Sequence, residues 1–277
     1  MVRCGSCLQE NRDGASLCRR CGSQIRETRV RSQRLSAVAM AVGATAVERV
    51  PVERGRRAPG AAVHVRGRMI SVLPNGRDDT VYWLEDDQVD IGRKQGHIRI
   101  DDPQLAPLHA RLNISLGGAM LTPLERRNGV YLRLRSSLEL KDEDHILVGR
   151  QVLRFEVLPE HERHPRPATE DGVVLFGTPA PAAWGRLRQL MASGLGRDVY
   201  HLSRSEIALG REQADLVFAD DEFLSRRHAQ VTIVNGKPVL KDLGSSNGTY
   251  LRLRAPQVLV PGDMIRLGDQ LLRFELG

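Results

Sequence analysis

Short runs of alternating apolar and polar residues fill the chain beyond about residue 62. Examples are "EIALG" (206–210), "AQVTIV" (229–234) and "LLRFEL" (271–276), and turn-forming stretches such as "VNGKP" and "SSNGT" separate them. Period-two alternation with a turn roughly every ten residues is typical of a β-sandwich. No long window has the period of an amphipathic helix. We therefore predict an all-β fold.

The same pattern occurs twice in the chain. The segment Gly67 to Arg93 aligns without gaps to Gly185 to Arg211, and "VLRFEVL" at 152–158 matches "LLRFELG" at 271–277. The offset is 118 residues (185 − 67) in the first segment and 119 (271 − 152) in the second. This spacing indicates a tandem duplication of one domain of about 100 residues, a size at which a domain can fold alone.

Changes in composition divide the rest of the chain. Residues 25–62 and 159–172 are rich in charged residues and Pro, which is typical of linkers. We therefore predict five parts: a small metal-binding head at 1–24, a basic flexible linker at 25–62, a first sandwich at 63–158, a second linker at 159–172 and a second sandwich at 173–277.

All four cysteines lie in the head, in two C-x2-C pairs: Cys4, Cys7, Cys18 and Cys21. Four thiolates at this spacing form a closed tetrahedral site for structural Zn²⁺. Two disulfides or a redox pair are the alternatives, and disulfides fit poorly because the chain shows no signal peptide. The segment resembles the short zinc ribbons at the N-termini of bacterial regulatory proteins.

The positive charge of the chain is concentrated before the repeats. Residues 1–62 hold 12 Arg, no Lys and 5 acidic residues, a net charge of +7 that equals the net charge of the whole chain. A basic segment favours nucleic acid or an acidic partner, although no aromatic residues accompany the arginines to stack on bases. A solvated linker is the alternative. No window is long and apolar enough to span a membrane, so we expect a cytoplasmic protein, and the excess of Arg over Lys suggests a GC-rich bacterial genome.

Three loops of the second repeat combine arginines, small hydroxyls and an Asn-Gly turn: "GR" at 210–211, "SRRH" at 225–228 and "SSNGT" at 245–249. Guanidinium groups bind phosphate oxygens through charge-assisted hydrogen bonds, and serine hydroxyls add further donors. An asparagine amide pairs with a peptide backbone. No nucleophile stands beside an oriented base, so the set indicates binding and not an enzyme.

In this order the three loops resemble the forkhead-associated (FHA) domain over about residues 173–277. The resemblance implies an eleven-stranded sandwich that binds phosphothreonine in a peptide. It assigns phosphate contacts to Arg211, Ser225 and Ser246, a supporting role to Arg226, and contact with the peptide backbone to Asn247. Four further residues are expected to shape the loops: Gly210, His228, Gly248 and Thr249. In this family the residues before the serine influence the third position after the phosphothreonine, so Phe223 or Leu224 is expected either to favour an apolar residue there or to pack at the base of the loop.

The first repeat departs from this pattern at the binding positions. Ala106 and Pro107 replace Ser225 and Arg226, Arg127 replaces Ser246, and Val130 replaces Thr249. By resemblance the fold persists while phosphothreonine recognition is lost or weakened. The first repeat then acts as a scaffold, as a packing partner for the second repeat, or as a site for a different ligand. Arg93, Arg126 and Arg127 retain a capacity to attract an anion.

Two functional hypotheses follow. The first is a phosphothreonine-binding adaptor in bacterial Ser/Thr kinase signalling, whose partner is a kinase or its substrate. The alternative is a nucleic-acid-associated regulator that uses the head and the basic linker. Thr28 and Thr169 lie in predicted linkers, and a further hypothesis is that one of them is phosphorylated and captured in cis by the second repeat.

Overall fold

The computed structural model describes residues 2–3, 10–11, 66–115, 118–178 and 181–277. The cysteines of the predicted zinc ribbon and the predicted linker at 25–62 lie outside these residues. The described residues from 66 onwards belong to one compact unit. From the unit before it, the described residues form one antiparallel pair, β1 (Val2–Arg3) and β2 (Glu10–Asn11).

The first repeat contributes ten strands. They are β3 (Gly67–Val72), β4 (Asp78–Leu84), β5 (Gln88–Gly92), β6 (Ile98–Arg99), β7 (Ala110–Ser115), β8 (Gly118–Pro123), β9 (Val130–Arg133), β10 (Leu138–Glu139), β11 (His145–Val148) and β12 (Gln151–Val157).

The segment between the repeats holds a four-residue helix, α1 (Glu160–Arg163), and an exposed hairpin of β13 (Thr169–Glu170) and β14 (Val173–Val174).

The second repeat repeats the set of ten strands: β15 (Gly185–Leu190), β16 (Gly196–Leu202), β17 (Glu206–Gly210), β18 (Leu216–Val217), β19 (Ala229–Val234), β20 (Lys237–Asp242), β21 (Thr249–Arg252), β22 (Gln257–Leu259), β23 (Met264–Leu267) and β24 (Gln270–Leu276). The predicted all-β class is confirmed. No helix in the described ranges has the length and hydropathy needed to cross a bilayer.

The strands form one shared sheet and two smaller ones. A ten-stranded sheet has the order β16-β15-β12-β11-β21-β9-β23-β24-β3-β4. One five-stranded sheet has the order β22-β8-β7-β5-β6 and the other β10-β20-β19-β17-β18. Each smaller sheet encloses a separate apolar core with its half of the shared sheet.

The last three strands of each repeat are exchanged. Strand β12 pairs with β15, the first strand of the second repeat, from Val152 opposite Leu190 to Val157 opposite Gly185. Strand β24 pairs in the same way with β3, the first strand of the first repeat. Strands β10 and β22 likewise join the smaller sheet of the other repeat. The ranges 63–158 and 173–277 therefore delimit the sequence repeats but not the folded sandwiches. We call the first sandwich the one that holds β3–β9 with β22–β24, and the second sandwich the one that holds β15–β21 with β10–β12. Counted over the described residues, each has ten strands, not the eleven that the resemblance implied.

Near-identical core residues make this exchange possible. Phe155 and Leu153 fill the core of the second sandwich, while Phe274 and Leu272 occupy the equivalent places in the first. All four are fully buried. Because the exchanged segments carry matching apolar side chains, either sandwich buries the same kind of surface with strands from either repeat.

A buried carboxylate holds the exchanged pair β12–β15. The Glu156 side chain is 7% exposed and accepts hydrogen bonds from Arg154, Arg186 and Arg188, the last at 2.8 Å from Nε. Arg186 also contacts Glu162 at 2.7 Å. The hydrogen bond from Arg188, with those from Arg186 and Arg154, outweighs the effect of burial and lowers the pKa of Glu156 to about 2. Since two of these arginines lie on the other repeat, the cluster links the two halves.

We expect Glu156→Gln to lower the free energy of unfolding by roughly 2 kcal/mol, because the charged hydrogen bonds from three arginines to this buried carboxylate are lost. In the wild type this contribution is present above about pH 4.5 and is lost as the pH falls towards 2, since the folded state holds the lower pKa. Urea titration measures the change. Glu139→Gln removes an exposed pair with Lys237 and is expected to cost less than about 1 kcal/mol. Equal effects of the two substitutions would contradict this account.

Candidate functional site

The second sandwich brings all five predicted binding residues to one end. Arg211 follows β17, Ser225 and Arg226 precede β19, and Ser246 and Asn247 precede β21. With Glu222, Phe223 and Leu224, they line a shallow cavity of about 320 Å³.

Gly210 allows the first two loops to meet. A Cβ at Gly210 would lie 2.2 Å from the carbonyl oxygen of Arg226, so only glycine fits the approach. The Arg211 N–H donates to the Ser225 carbonyl at 3.0 Å, and the Gln213 N–H donates to the Arg226 carbonyl at 3.1 Å. These bonds place the Arg211 side chain next to the serine loop.

His228 joins the second and third loops. Its ring is fully buried; Nδ1 accepts from the Ser225 N–H at 3.1 Å and Nε2 donates to the Gly248 carbonyl at 3.0 Å. A ring that accepts at Nδ1 and donates at Nε2 is the neutral tautomer. Burial lowers the pKa of His228. The structure therefore places His228 as a support between loops and not as a ligand-facing residue.

Two side chains connect the second and third binding loops by hydrogen bonds. Ser225 Oγ accepts from the Ser246 N–H at 3.1 Å, which leaves the hydroxyl hydrogen of Ser225 for a ligand. Asn247 Nδ2 donates to the Phe223 carbonyl at 2.8 Å. Leu224 is 2% exposed and belongs to the core of the second sandwich. Phe223 therefore remains the better-exposed candidate for contact with a peptide.

Asp242, which was not among the predicted site residues, holds the "SSNGT" loop in place. Asp242 accepts from the hydroxyls of Ser245 and Thr249, at 2.6 and 2.7 Å, and from the backbone N–H of Ser245 at 3.0 Å. Burial acts to raise the pKa of Asp242, but these hydrogen bonds outweigh it and the pKa is lowered. Thr249 is fully buried, so its hydroxyl supports the loop. The sequence does contain a signal for this role of Asp242. The first repeat, which lacks the serine and threonine partners of Asp242, has Pro123 at the equivalent position.

Arg211 is held by a weak partner. Its guanidinium lies 3.1 Å from Glu212 Oε1, and both side chains are at least one-third exposed. An exposed pair of this kind contributes little, so a doubly charged phosphate can displace Glu212 at little cost.

The first sandwich preserves the same loop framework. Ala106 N–H donates to His109 Nδ1 at 3.1 Å, and His109 Nε2 bonds the Gly129 carbonyl at 2.9 Å. Asn128 Nδ2 donates to the Gln104 carbonyl at 2.7 Å. The fold thus persists around the altered positions, as the resemblance implied.

A local carboxylate pairs with Arg127, one of the three first-repeat arginines that the sequence offered as anion contacts. Glu125 accepts from both the backbone N–H and the guanidinium of Arg127. These side-chain and backbone hydrogen bonds lower the pKa of Glu125 to about 2. The charge of Arg127 is therefore compensated within the loop.

Each Asn-Gly turn also rests on an arginine from the other repeat. A Cβ at Gly248 would lie 2.2 Å from Arg133 Nε, and a Cβ at Gly129 would lie 2.3 Å from Arg252 Nε. Both glycines have positive φ, +84° and +71°, which glycine alone adopts without cost. The repeated "YLRLR" segments thus support the loops across the boundary between the repeats, a contact that the sequence did not predict.

Comparisons with known proteins identify the family of both repeats. A family model of the FHA domain matches residues 89–149 and 204–268, which confirms the resemblance in both repeats. The chain is similar to the oxoglutarate dehydrogenase inhibitor of Corynebacterium diphtheriae, with 34% identity over 125 residues, 44% of this chain and 85% of that protein. It is also similar to the glycogen accumulation regulator GarA of Mycolicibacterium smegmatis, with 30% identity over 141 residues, 50% of this chain and 87% of that protein. The oxoglutarate dehydrogenase inhibitor of Corynebacterium efficiens is 40% identical over 78 residues, 27% of this chain, and the chain spans about half (55%) of that relative.

We expect the second sandwich to lose stability as His228 becomes protonated. The folded-state pKa of His228 is lowered, so the unfolded chain binds the proton more readily. The contribution of the ring is complete above about pH 6.5 and is lost as the pH falls below that value. Burial lowers the pKa of His145 too, so part of the pH dependence will remain without His228.

Urea unfolding at about pH 7.5 and about pH 5.5 tests this expectation. The loss of stability between the two pH values should be smaller in His228→Asn than in the wild type. His201→Asn, on the exposed face of β16, serves as the matched control. An unchanged pH dependence in His228→Asn would show that the ring does not stay neutral in the fold.

Proposed function

The chain belongs to the FHA-domain family, and on that premise we propose that its second repeat binds a phosphothreonine-containing protein, so that the chain acts as an adaptor in bacterial Ser/Thr kinase signalling. The proposal rests above all on the convergence of Arg211, Ser225, Arg226, Ser246 and Asn247, from three separate loops, around one cavity.

The chemistry of the cavity suits a phosphate group. Arg211 supplies a planar fork of donors for phosphate oxygens, and Ser225 and Ser246 supply hydroxyl donors. Arg226 is exposed beside them and adds positive charge. Since the described residues of this loop cluster include no nucleophile–base pair, the arrangement favours binding without catalysis.

Asn247 suits the role of reading the peptide backbone. Its Nδ2 already donates to the Phe223 carbonyl, which fixes the amide at the cavity edge. The remaining N–H and the carbonyl oxygen of the amide can pair with one peptide group. Phosphate binding and backbone binding then act together on an extended peptide.

The first sandwich serves in this proposal as a scaffold. Ala106 and Pro107 offer no hydroxyl and no guanidinium where Ser225 and Arg226 stand in the second repeat, and Arg127 is paired with Glu125. Its strands β22–β24 come from the second repeat. The first sandwich therefore holds the C-terminal strands of the repeat that carries the proposed binding site.

The relatives support a regulatory role. Two are named for inhibiting oxoglutarate dehydrogenase and one for regulating glycogen accumulation. Such names describe control of another enzyme or process. The partner of this chain would then be a phosphorylated kinase or a kinase substrate.

We expect Arg211→Ala to weaken binding of a phosphothreonine peptide by about 10- to 100-fold, because charged hydrogen bonds to phosphate are lost. Peptides selected from a degenerate phosphothreonine library and measured by fluorescence anisotropy would test this. Arg93→Ala, the equivalent change in the first repeat, should leave the affinity within about twofold.

Ser225→Ala reproduces the first-repeat residue Ala106 and should weaken binding by about 3- to 10-fold, the range expected for one hydrogen bond. The matching peptide without phosphate should not bind measurably. Equal binding of the phosphorylated and unphosphorylated peptides, or an unchanged affinity of Arg211→Ala, would overturn the proposed function.

The proposal for the N-terminal head is a structural zinc site made by Cys4, Cys7, Cys18 and Cys21. Its support is the paired C-x2-C spacing in the sequence. A closed site of four thiolates leaves no open position for catalysis and makes the fold of the head depend on the metal.

Purified full-length protein should contain about one zinc per chain by plasma mass spectrometry, since one four-thiolate site binds one ion. Cys7→Ser should lose that zinc, whereas phosphopeptide affinity should be unchanged. Ser6→Ala, adjacent to Cys7 in the sequence, is the matched control. Zinc retained at full stoichiometry in Cys7→Ser would contradict the ligand assignment.

A further inference from the structure

The strand exchange brings a turn of the first repeat against the proposed binding site. The turn between β11 and β12, Gly149-Arg150, contacts the loop that leads to Ser225. Asp221 Oδ2 accepts from the Arg150 N–H and from Gln151 Nε2, both at 2.8 Å. A Cβ at Gly149 would lie within 2.9 Å of Asp221 and Leu224 atoms. This contact therefore has a defined geometry.

The Arg150 side chain extends from this turn to the rim of the cavity. Its guanidinium carbon lies 4.5 Å from the centre of the Phe223 ring, a cation–π distance. Its Nη2 lies 3.4 Å from Glu222 Oε1, and the side chain is 64% exposed. Glu222 and Phe223 line the cavity together with Ser225 and Asn247. Arg150 is thus a neighbour of the peptide site, supplied by the other repeat.

The exchange reverses the charge at this position. The second-repeat residue equivalent to Arg150 is Asp269 (150 + 119). In the structure Asp269 lies at the first sandwich instead, where its N–H donates to Asp102 and its carboxylate accepts from Gln104 at 3.0 Å. If β23 and β24 paired within the second repeat, the carboxylate of Asp269 would lie beside Phe223. Because they do not, a guanidinium stands there.

We propose that Arg150 determines specificity at the second-repeat site by binding a carboxylate of the phosphopeptide, from an Asp or Glu near the phosphothreonine. This inference rests on the proposed function. Asp221 is already occupied by its hydrogen bonds from Arg150 and Gln151. Glu222 holds Arg150 only through an exposed pair that an incoming carboxylate can replace at little cost. The Arg150 guanidinium stacks over the Phe223 ring. The ring therefore positions the guanidinium for contact with the carboxylate and does not offer an open apolar pocket.

The test uses the full chain and a phosphothreonine peptide with alanine flanks, in which Asp replaces each flanking residue in turn. At one or two positions the Asp peptide should bind about 3- to 10-fold more tightly than the alanine peptide, and a Lys peptide more weakly. Arg150→Gln should remove this preference, and Arg150→Lys should retain part of it. Asp269→Asn, the equivalent change at the first sandwich, should leave the preference unchanged.

Salt provides a second measurement that needs no variant. The Asp preference of the wild type should decrease as salt rises from about 0.05 M to about 0.5 M, because the contact is exposed. The same Asp-to-Ala ratio in Arg150→Gln as in the wild type, or no Asp preference at any position, would overturn this inference and leave the proposed function intact. If no phosphothreonine peptide bound the wild type, the proposed function would fail, and this inference with it.

Discussion

Both sandwiches depend on the backbone pairing between repeats, β12 with β15 and β24 with β3. Each pairing places the last strand of one repeat beside the first strand of the other, so neither core closes without residues from both halves. The Glu156 cluster reinforces one of these junctions with a carboxylate shared by three arginines. The two halves of the chain are consequently one folding unit, although their sequences look like two independent domains.

Within that unit the loop framework and the binding chemistry are separable. The buried histidines His109 and His228 make the same pair of hydrogen bonds in both sandwiches. What differs is the set of groups on the loops, since Asp242 and its serine and threonine partners have no counterpart in the first repeat. A duplicated framework can therefore keep its shape while the side chains on its loops change.

Much of the fold and the site can be predicted from the sequence, because strands and loop motifs are encoded by residues that are close together in the chain. Alternation predicts strands, and the loop motifs predict which residues meet at the cavity. The exchange does not follow, because Leu153 and Phe155 match Leu272 and Phe274, and the apolar pattern is the same for local and exchanged pairing. A motif comparison also misses side-chain pairs such as Glu125 with Arg127, because Glu125 lies outside the motif. The predicted ribbon and basic linker lie outside the described residues and stay predictions.

The exchange takes place between segments of one polypeptide, joined by the stretch that carries α1. Two separate chains that traded the same strands would form a dimer, and dilution would favour its dissociation. A covalent connection fixes the effective concentration of the two halves, so dilution does not separate the composite sandwiches. It also frees the halves from having identical sequences, which is how a single chain comes to carry Arg150 at one rim and Asp269 at the other.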